Sequence, residues 1–466
     1  MVKFIQLAIF HKFQTPWLYA AYSNQGLNGI RDCFHQFVRQ ETPLKHIQLK
    51  PRPIHFNTWE AVYFTHQKEK LFQMVDAAAE VGIERFILDD GWFKGRDGEK
   101  AALGDWFVDD KKYPQGLKPL IEAVHGKGMQ FGLWFEPEMV NPDSDCYRQH
   151  PEWMLAIPGY QQVLGRYQYV INLTNPNAFA YIYNRLDALL TEYDIQYIKW
   201  DMNRVLVQAS DQNGQALVHK QTLALYDLLE KLRAKHPDVE IESCSSGGGR
   251  IDLGILRYTD RVWTSDCNDA LTRQHIQHGF SYFLPPEIMG SHIGPTPAHT
   301  TQRSHRLSFR ALTALFGHMG VEWDVSLISD EERKQLKHYL KLHKDYRELL
   351  HHGRCIGLDY ADEAYAYGVI ANDQTQALVA VAQLDMPHDM YNPVLKIPYL
   401  QADQKYQVNV LEHSHLEMPH VMRVPPEWYH EGIILTGEWL AKVGMQMPIM
   451  DPESLLLLEI RAVRQE

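Results

Sequence analysis

The chain has 466 residues, with 46 Lys and Arg against 58 Asp and Glu, a formal net charge of −12. Apolar residues make up 45%, aromatics 11% and charges 22%, an ordinary globular composition that argues against a disordered or fibrous chain. There is no basic stripe of five or more residues and no run of 18 apolar residues. Nucleic-acid binding by counterion release and a membrane span are therefore both excluded.

The N-terminal run Phe4 to Phe10 is short for a signal core, Gln6 interrupts it, and no A-x-A site follows, so it reads as a buried strand. Cys33, Cys146, Cys244, Cys267 and Cys355 are odd in number and widely spaced, with no CxxC. That use of cysteine points to a reducing, cytoplasmic setting. Asn172-Leu-Thr174 matches a glycosylation sequon, which matters only in a secreted protein. Residues 1–50 are too few to fold alone and are expected to pack against the barrel.

From Ile54 onward, short apolar runs alternate with amphipathic stretches. IHFNTWEA, RFILDDGW, QFGLWFEPE, QYIKWDMN, EIESCSSGGG, RVWTSD, EIMGSHI and VEWDVS are the strand-like runs. HQKEKLFQMVDAAAEVG, AFAYIYNRLDALLTEYD and TLALYDLLEKLRAKH are among the helix-like segments between them. Eight βα units predict a closed (β/α)₈ barrel over 51–353, with a doubly wound open sheet as the structural rival. The last helix-like run ends at Gly353. YAYGVI, ALVAVAQL, VLKIPYL, YQVNVLE and LLLLEIRAV then predict an antiparallel β-sandwich over 354–466.

Catalytic groups of such barrels sit at the C-terminal strand ends. Seven runs end in pocket-building residues: Trp59, Asp89-Asp90-Gly91-Trp92, Trp134 with Glu136, Lys199 with Asp201 and Asn203, Cys244 before Ser245-Ser246-Gly247-Gly248-Gly249, Asp266, and His292. Side chains alternate along a strand, so Lys199, Asp201 and Asn203 share one face. A Lys-x-Asp pair offsets the cost of burying either charge and keeps Asp201 ionised, as a nucleophile on a sugar carbon requires. A structural ion pair is the bland alternative. Asp266 lies two strands on, with no cation adjacent in sequence, which suits a general acid. Asp269 is its rival, or a helix N-terminal carboxylate.

Asp89 and Asp90 beside Trp92 suit the hydroxyls and apolar face of a pyranose. No HExxH occurs among the 24 histidines, no second acidic cluster has ligand spacing, and His351-His352 read as a solvated helix face. No metal or organic cofactor is expected. SSGGGR lacks GxGxxG and the P-loop spacing, so it carries little phosphate signal. Its glycines permit close backbone approach beside Cys244, itself equally readable as a small core residue. Trp59, Trp134 and Trp263 read as core or as sugar platforms. Arg166 reads as a surface arginine or a donor to hydroxyls.

NTWEA, LDDGW, GLWFEPEMV, IKWDMNR, ESCSSGGGR and WTSDCNDA, in that order, resemble glycoside hydrolase family thirty-six, the retaining α-galactosidases. The resemblance runs from about Trp17 to the C-terminus. It implies that Asp201 is the nucleophile and Asp266 the acid/base. It further implies that Asp89 and Asp90 bind hydroxyls around the 4- and 6-positions and that Lys199 and Arg166 donate to hydroxyls; Asn203, on the same strand face as Lys199 and Asp201, is a further candidate for substrate binding. Trp134 and Trp59 then shape the sugar subsite, and Cys244 with Gly247 lines the 2-position side. The expected substrates are melibiose- and raffinose-type oligosaccharides. An α-N-acetylgalactosaminidase and an inert sugar-binding fragment are the alternatives. Family members are often homo-oligomers and carry a β-rich domain before the barrel, of which PWLYAAYSNQGLNGIRDCFHQFVR resembles only the tail. The chain thus reads as a truncated reading frame or a fragment. Uncovered apolar barrel surface, poor solubility or altered assembly is expected.

Overall fold

The computed structural model describes residues 15–42, 51–211, 213–389, 393–414 and 424–464. The strand expected at Phe4 to Phe10 lies outside the described residues. Eight parallel strands close a barrel: β1 His55–Asn57, β2 Arg85–Leu88, β3 Gln130–Phe135, β4 Tyr197–Trp200, β5 Glu240–Ser243, β6 Arg261–Trp263, β7 Met289–Ile293 and β8 His318–Val321. β8 pairs back onto β1, which excludes the open sheet.

The longer helices are α1 Gly26–Glu41, α2 Lys68–Val81, α3 Lys118–Gly126, α4 Pro176–Glu192, α5 Val218–Lys235, α6 Ala270–Phe280, α7 Leu307–Ala314 and α8 Asp330–His352, with shorter ones such as Trp59–Val62 between strands. After β5 a 3₁₀ turn, Ile255–Arg257, takes the helix's place. Local chemistry sets these ends. The Asn175 side chain accepts the Asn177 N–H and Pro176 opens α4, while Ile182, Leu186, Leu189 and Leu190 form its buried stripe. Ser329 and Glu332 make a reciprocal capping box on α8.

Strand alternation separates two environments. Ile198 and Trp200 join the apolar layer under the helices, whereas Tyr197 and Lys199 project into the barrel. The barrel floor is charged. Glu240 Oε2 pairs with Arg85 at 3.0 Å and Arg52 at 3.2 Å, and Arg261 pairs with Glu242. Burial works against the Glu240 anion, but Arg52 and Arg85 override it and hold its pKa down to about 2. Paired charges thus fill a space that apolar side chains occupy in most such barrels.

The C-terminal sheet has six antiparallel strands: β9 Arg354–Leu358, β10 Ala364–Ile370, β11 Gln376–Gln383, β12 Lys405–His413, β13 Ile433–Thr436 and β14 Ser454–Ala462. Leu455 and Leu457 face the barrel core, while Leu456, Leu458 and Ile460 face a second core. A two-stranded ribbon, Val394–Leu395 with Met445–Gln446, contributes Leu395 and Met445 to that second core. Burial on both faces explains why LLLLEI is continuous rather than alternating. α1 docks on both bodies, through Arg31 to the Ser281 carbonyl, Arg39 to Glu287 and Asn28 to Gly357.

Two sequence expectations are corrected. The eighth strand is His318–Val321, ahead of most of VEWDVS. His351 is buried at 2% exposure, on the face of α8 that packs inward, and is not on a solvated face.

Candidate active site

A cavity of about 250 Å³ opens at the C-terminal strand ends. Trp59, Asp89, Asp90, Trp134, Arg166, Lys199, Asp201, Asn203 and Asp266 all line it. Cys244 and Gly247 stand just behind the wall. Cys244 is 1% exposed, and burial, then the Asp201 and Asp266 carboxylates, raise its thiol well above the usual range.

Asp201 is 7% exposed and collects four N–H donors. Oδ1 accepts Met202 N at 2.8 Å and Ser246 N at 3.4 Å. Oδ2 accepts Asn203 Nδ2 at 2.7 Å and Trp134 Nε1 at 3.3 Å. That set matches an acceptor-only carboxylate. Asp266 faces different surroundings. It accepts Trp263 Nε1 at 2.9 Å, and burial, then the Asp201 charge, raises its pKa above the ordinary carboxyl value. The two environments push two carboxyls toward opposite roles.

The expected Lys199–Asp201 pair is corrected. Lys199 Nζ bonds Asp89 Oδ2 at 2.8 Å, on a strand two places around the barrel, and Asn57 Nδ2 holds the same oxygen at 2.7 Å. Burial opposes the Lys199 cation, yet Asp89 and further acids hold its pKa well above normal. Asp90 is clasped by Arg96, with Nε to Oδ1 at 2.9 Å and Nη2 to Oδ2 at 2.8 Å. Trp92 is fully buried and gives Nε1 to the Trp134 carbonyl, so it is core and not a sugar platform. Trp263 is also buried, at 2% exposure, but touches the pocket wall. Asp269 caps α6, accepting Thr272 N at 2.8 Å.

Arg166 reaches the mouth from a two-residue turn. Gly165 and Gln168 exchange backbone hydrogen bonds at 2.9 and 3.3 Å, with φ of 50° at Arg166 and 60° at Tyr167. Two positive φ values define the turn that matches strand twist, and both are strained in non-glycine residues.

The glycine run serves close approach. Gly247 has φ +82°, and a Cβ there meets Asp266 N at 2.7 Å and Ser265 Cα at 2.8 Å. Both are backbone atoms and cannot swing aside. Gly247→Ala is expected to displace the Asp266 loop, cutting turnover at least tenfold and stability by about 1–3 kcal/mol. Steady-state kinetics beside a thermal melt check both.

Glu60, Glu322, Arg96, Gln168 and His299, which carry no role in the sequence pattern, line the pocket together with Glu136, which that pattern marks only as a strand-end residue. Polar residues immediately after apolar runs (FEPE, VEWD) were the available signal. Glu136 ties two loops together, accepting Asn203 N on Oε1 and Gln168 Nε2 on Oε2. Burial, then Asp201, pushes its pKa up to about 8. The folded state then holds a proton that the unfolded state releases near 4.5, so stability falls as pH rises between these values. The slope is about 1.4 kcal/mol per pH unit for one proton. Glu136→Gln is expected to flatten it, read as denaturant midpoints from pH 5 to 8. An unchanged slope removes Glu136 from this role.

A closed parallel barrel with a carboxylate-lined pit at its C-terminal rim defines an enzyme architecture of the (β/α)₈ class. The chain belongs to the melibiase family: the family profile matches residues 12–353, and the glycosyl hydrolase family 36 C-terminal domain matches 364–458. It is 49% identical over 455 residues to an α-galactosidase of Escherichia coli, covering 96% of this chain and 64% of that one. The α-galactosidase AgaA of Geobacillus stearothermophilus is 36% identical over 407 residues, covering 86% and 56%. A solved structure of an AgaA variant in complex with raffinose superposes with a TM-score of 0.86 at 32% identity, covering 95% and 60%. The chain thus spans less than two thirds of these relatives.

Proposed function

We propose that the chain is a retaining exo-α-galactosidase acting on melibiose- and raffinose-type sugars. The observation that carries this reading is the pairing of Asp201 and Asp266 in one pit, the first ringed by N–H donors and the second raised by burial and by its neighbour. Relatives named α-galactosidase, and neighbours in complex with raffinose and stachyose, support the sugar class.

Asp201 attacks the anomeric carbon as the bond to the leaving oxygen breaks. The Asp266 carboxyl gives its proton to that oxygen, and a galactosyl ester on Asp201 forms. Water then attacks the same carbon, its proton returns to Asp266, and the Asp201 carboxylate is released. Lys199 and Asp89, held by each other, and Asp90, held by Arg96, offer fixed polar groups to the ring hydroxyls. Trp134 and Trp59 wall the apolar face. Arg166 reaches the mouth, Asn203 orients Asp201, and Cys244 with Gly247 backs the wall behind both acids.

Proton NMR of the first sugar released from 4-nitrophenyl α-D-galactoside tests this. Initial α-galactose is expected. Initial β-galactose contradicts retention, and no hydrolysis contradicts the activity. Parallel assay of the N-acetylgalactosaminide separates the alternative sugar.

A further inference from the structure

On the Asp266 side of the pocket lies a cluster that the reaction above does not use. Glu60 follows β1 and Glu322 follows β8, the two strands whose pairing closes the barrel. Both acids line the cavity. Asn268, two residues past Asp266, gives Nδ2 to Glu60 Oε1 at 2.9 Å and to Glu322 Oε2 at 3.3 Å. One amide nitrogen therefore holds an oxygen of each acid.

The donors around His292 fix where its hydrogen sits. Arg261 Nη2 lies 2.9 Å from His292 Nε2, and an arginine only donates. His292 thus carries its hydrogen on Nδ1, which it gives to Glu322 Oε2 at 2.6 Å. Glu322 Oε2 is doubly served as an acceptor. Glu60 Oε2 is buried and has no hydrogen-bond partner among the described residues. Two neighbouring buried carboxylates repel, and a proton on either of them removes that repulsion, with Glu60 Oε2 the oxygen left without a donor.

We propose that the Glu60–Glu322 pair carries one proton rather than two full charges and, through Asn268, holds the loop that aims Asp266 at the leaving-group oxygen. This rests on the acid/base reading of Asp266. Burial, and behind it the Asp266 charge, pushes Glu60 up to about 7 despite the Asn268 hydrogen bond. Burial and then Glu60 raise Glu322 well above normal. Lys199 opposes both shifts from β4, and Asp89 adds to the second from the end of β2. Arg261 and Arg273 supply cations from β6 and α6, and Tyr63 faces Glu60 from its own loop. When the pair's proton leaves as pH rises, negative charge grows beside Asp266 and helps it keep its own proton. Glu60, Glu322 and Asn268 are positioning residues, because they act through Asp266.

The test uses the full chain and two substrates. Asn268→Ala is expected to lower kcat/KM on melibiose at least tenfold and on 4-nitrophenyl α-D-galactoside by less than threefold, because a good leaving group needs little acid assistance. Equal losses on both substrates overturn the proposal. The isosteric Glu60→Gln/Glu322→Gln variant keeps the fold should the alanine variant not. Removing its charge is expected to move the alkaline limb of kcat/KM toward acid by about half a pH unit. An unmoved limb overturns the pair's coupling to Asp266. Failure of the underlying reading looks different: Asp266→Ala then retains melibiose hydrolysis, whatever Asn268→Ala does.

Discussion

Asp201→Asn is expected to lower kcat by about 10⁴-fold or more with the fold intact. The substitution removes a carboxylate whose two oxygens collect four N–H donors. An amide is a poor nucleophile and cannot become the ester that retention requires. It also turns one acceptor into a donor that meets Trp134 Nε1 and Asn203 Nδ2, so a modest fall in melting temperature accompanies the loss. The same change relieves two neighbours. Asp201 is the second cause, after burial, of the raised pKa of both Asp266 and Glu136, and both carboxyls are expected to titrate lower in the variant. Carboxyl titration by NMR and a galactoside assay read these effects separately. Residual turnover above a hundredth of wild type removes Asp201 from the nucleophile's place.

Asp266→Ala is expected to cut kcat/KM on melibiose by about 10²–10⁴-fold, the range for loss of a positioned proton donor. Nitrophenyl galactoside suffers less in the first step, since its leaving group departs without help. Added azide, an anion that needs no base, is expected to restore turnover and release α-galactosyl azide. The wild-type pH profile carries the same assignment. Asp266 acts first as an acid, so activity falls as pH rises through its raised pKa. Loss of equal size on both substrates, with no azide rescue, contradicts an acid/base role for Asp266.

The barrel is legible in the sequence because each strand places apolar residues under the helices and breaks off in a polar residue at the rim. The eighth strand escapes that pattern because His318 and Gly320 interrupt the apolar run of HMGV. His318 turns inward to Arg261 and Arg52, in a polar floor that no apolar pattern announces. The two packed faces of LLLLEI are hidden for the opposite reason, since burial on both sides erases the alternation. In the site, Asp201 and Asp266 are readable as strand-end carboxylates. The partner of Lys199 is not, because spacing along one strand suggests Asp201 while the barrel's curvature delivers Asp89. Glu60 and Glu322 meet only when the first and last strands pair, a contact with no trace in local sequence.

The most direct test of Asp201 as nucleophile is the mass of the peptide labelled by an activated 5-fluoro-galactosyl fluoride. The label is expected on the peptide containing Asp201, carried through an acid-stable, base-labile ester. A label on Asp266 or on any other carboxylate contradicts that assignment.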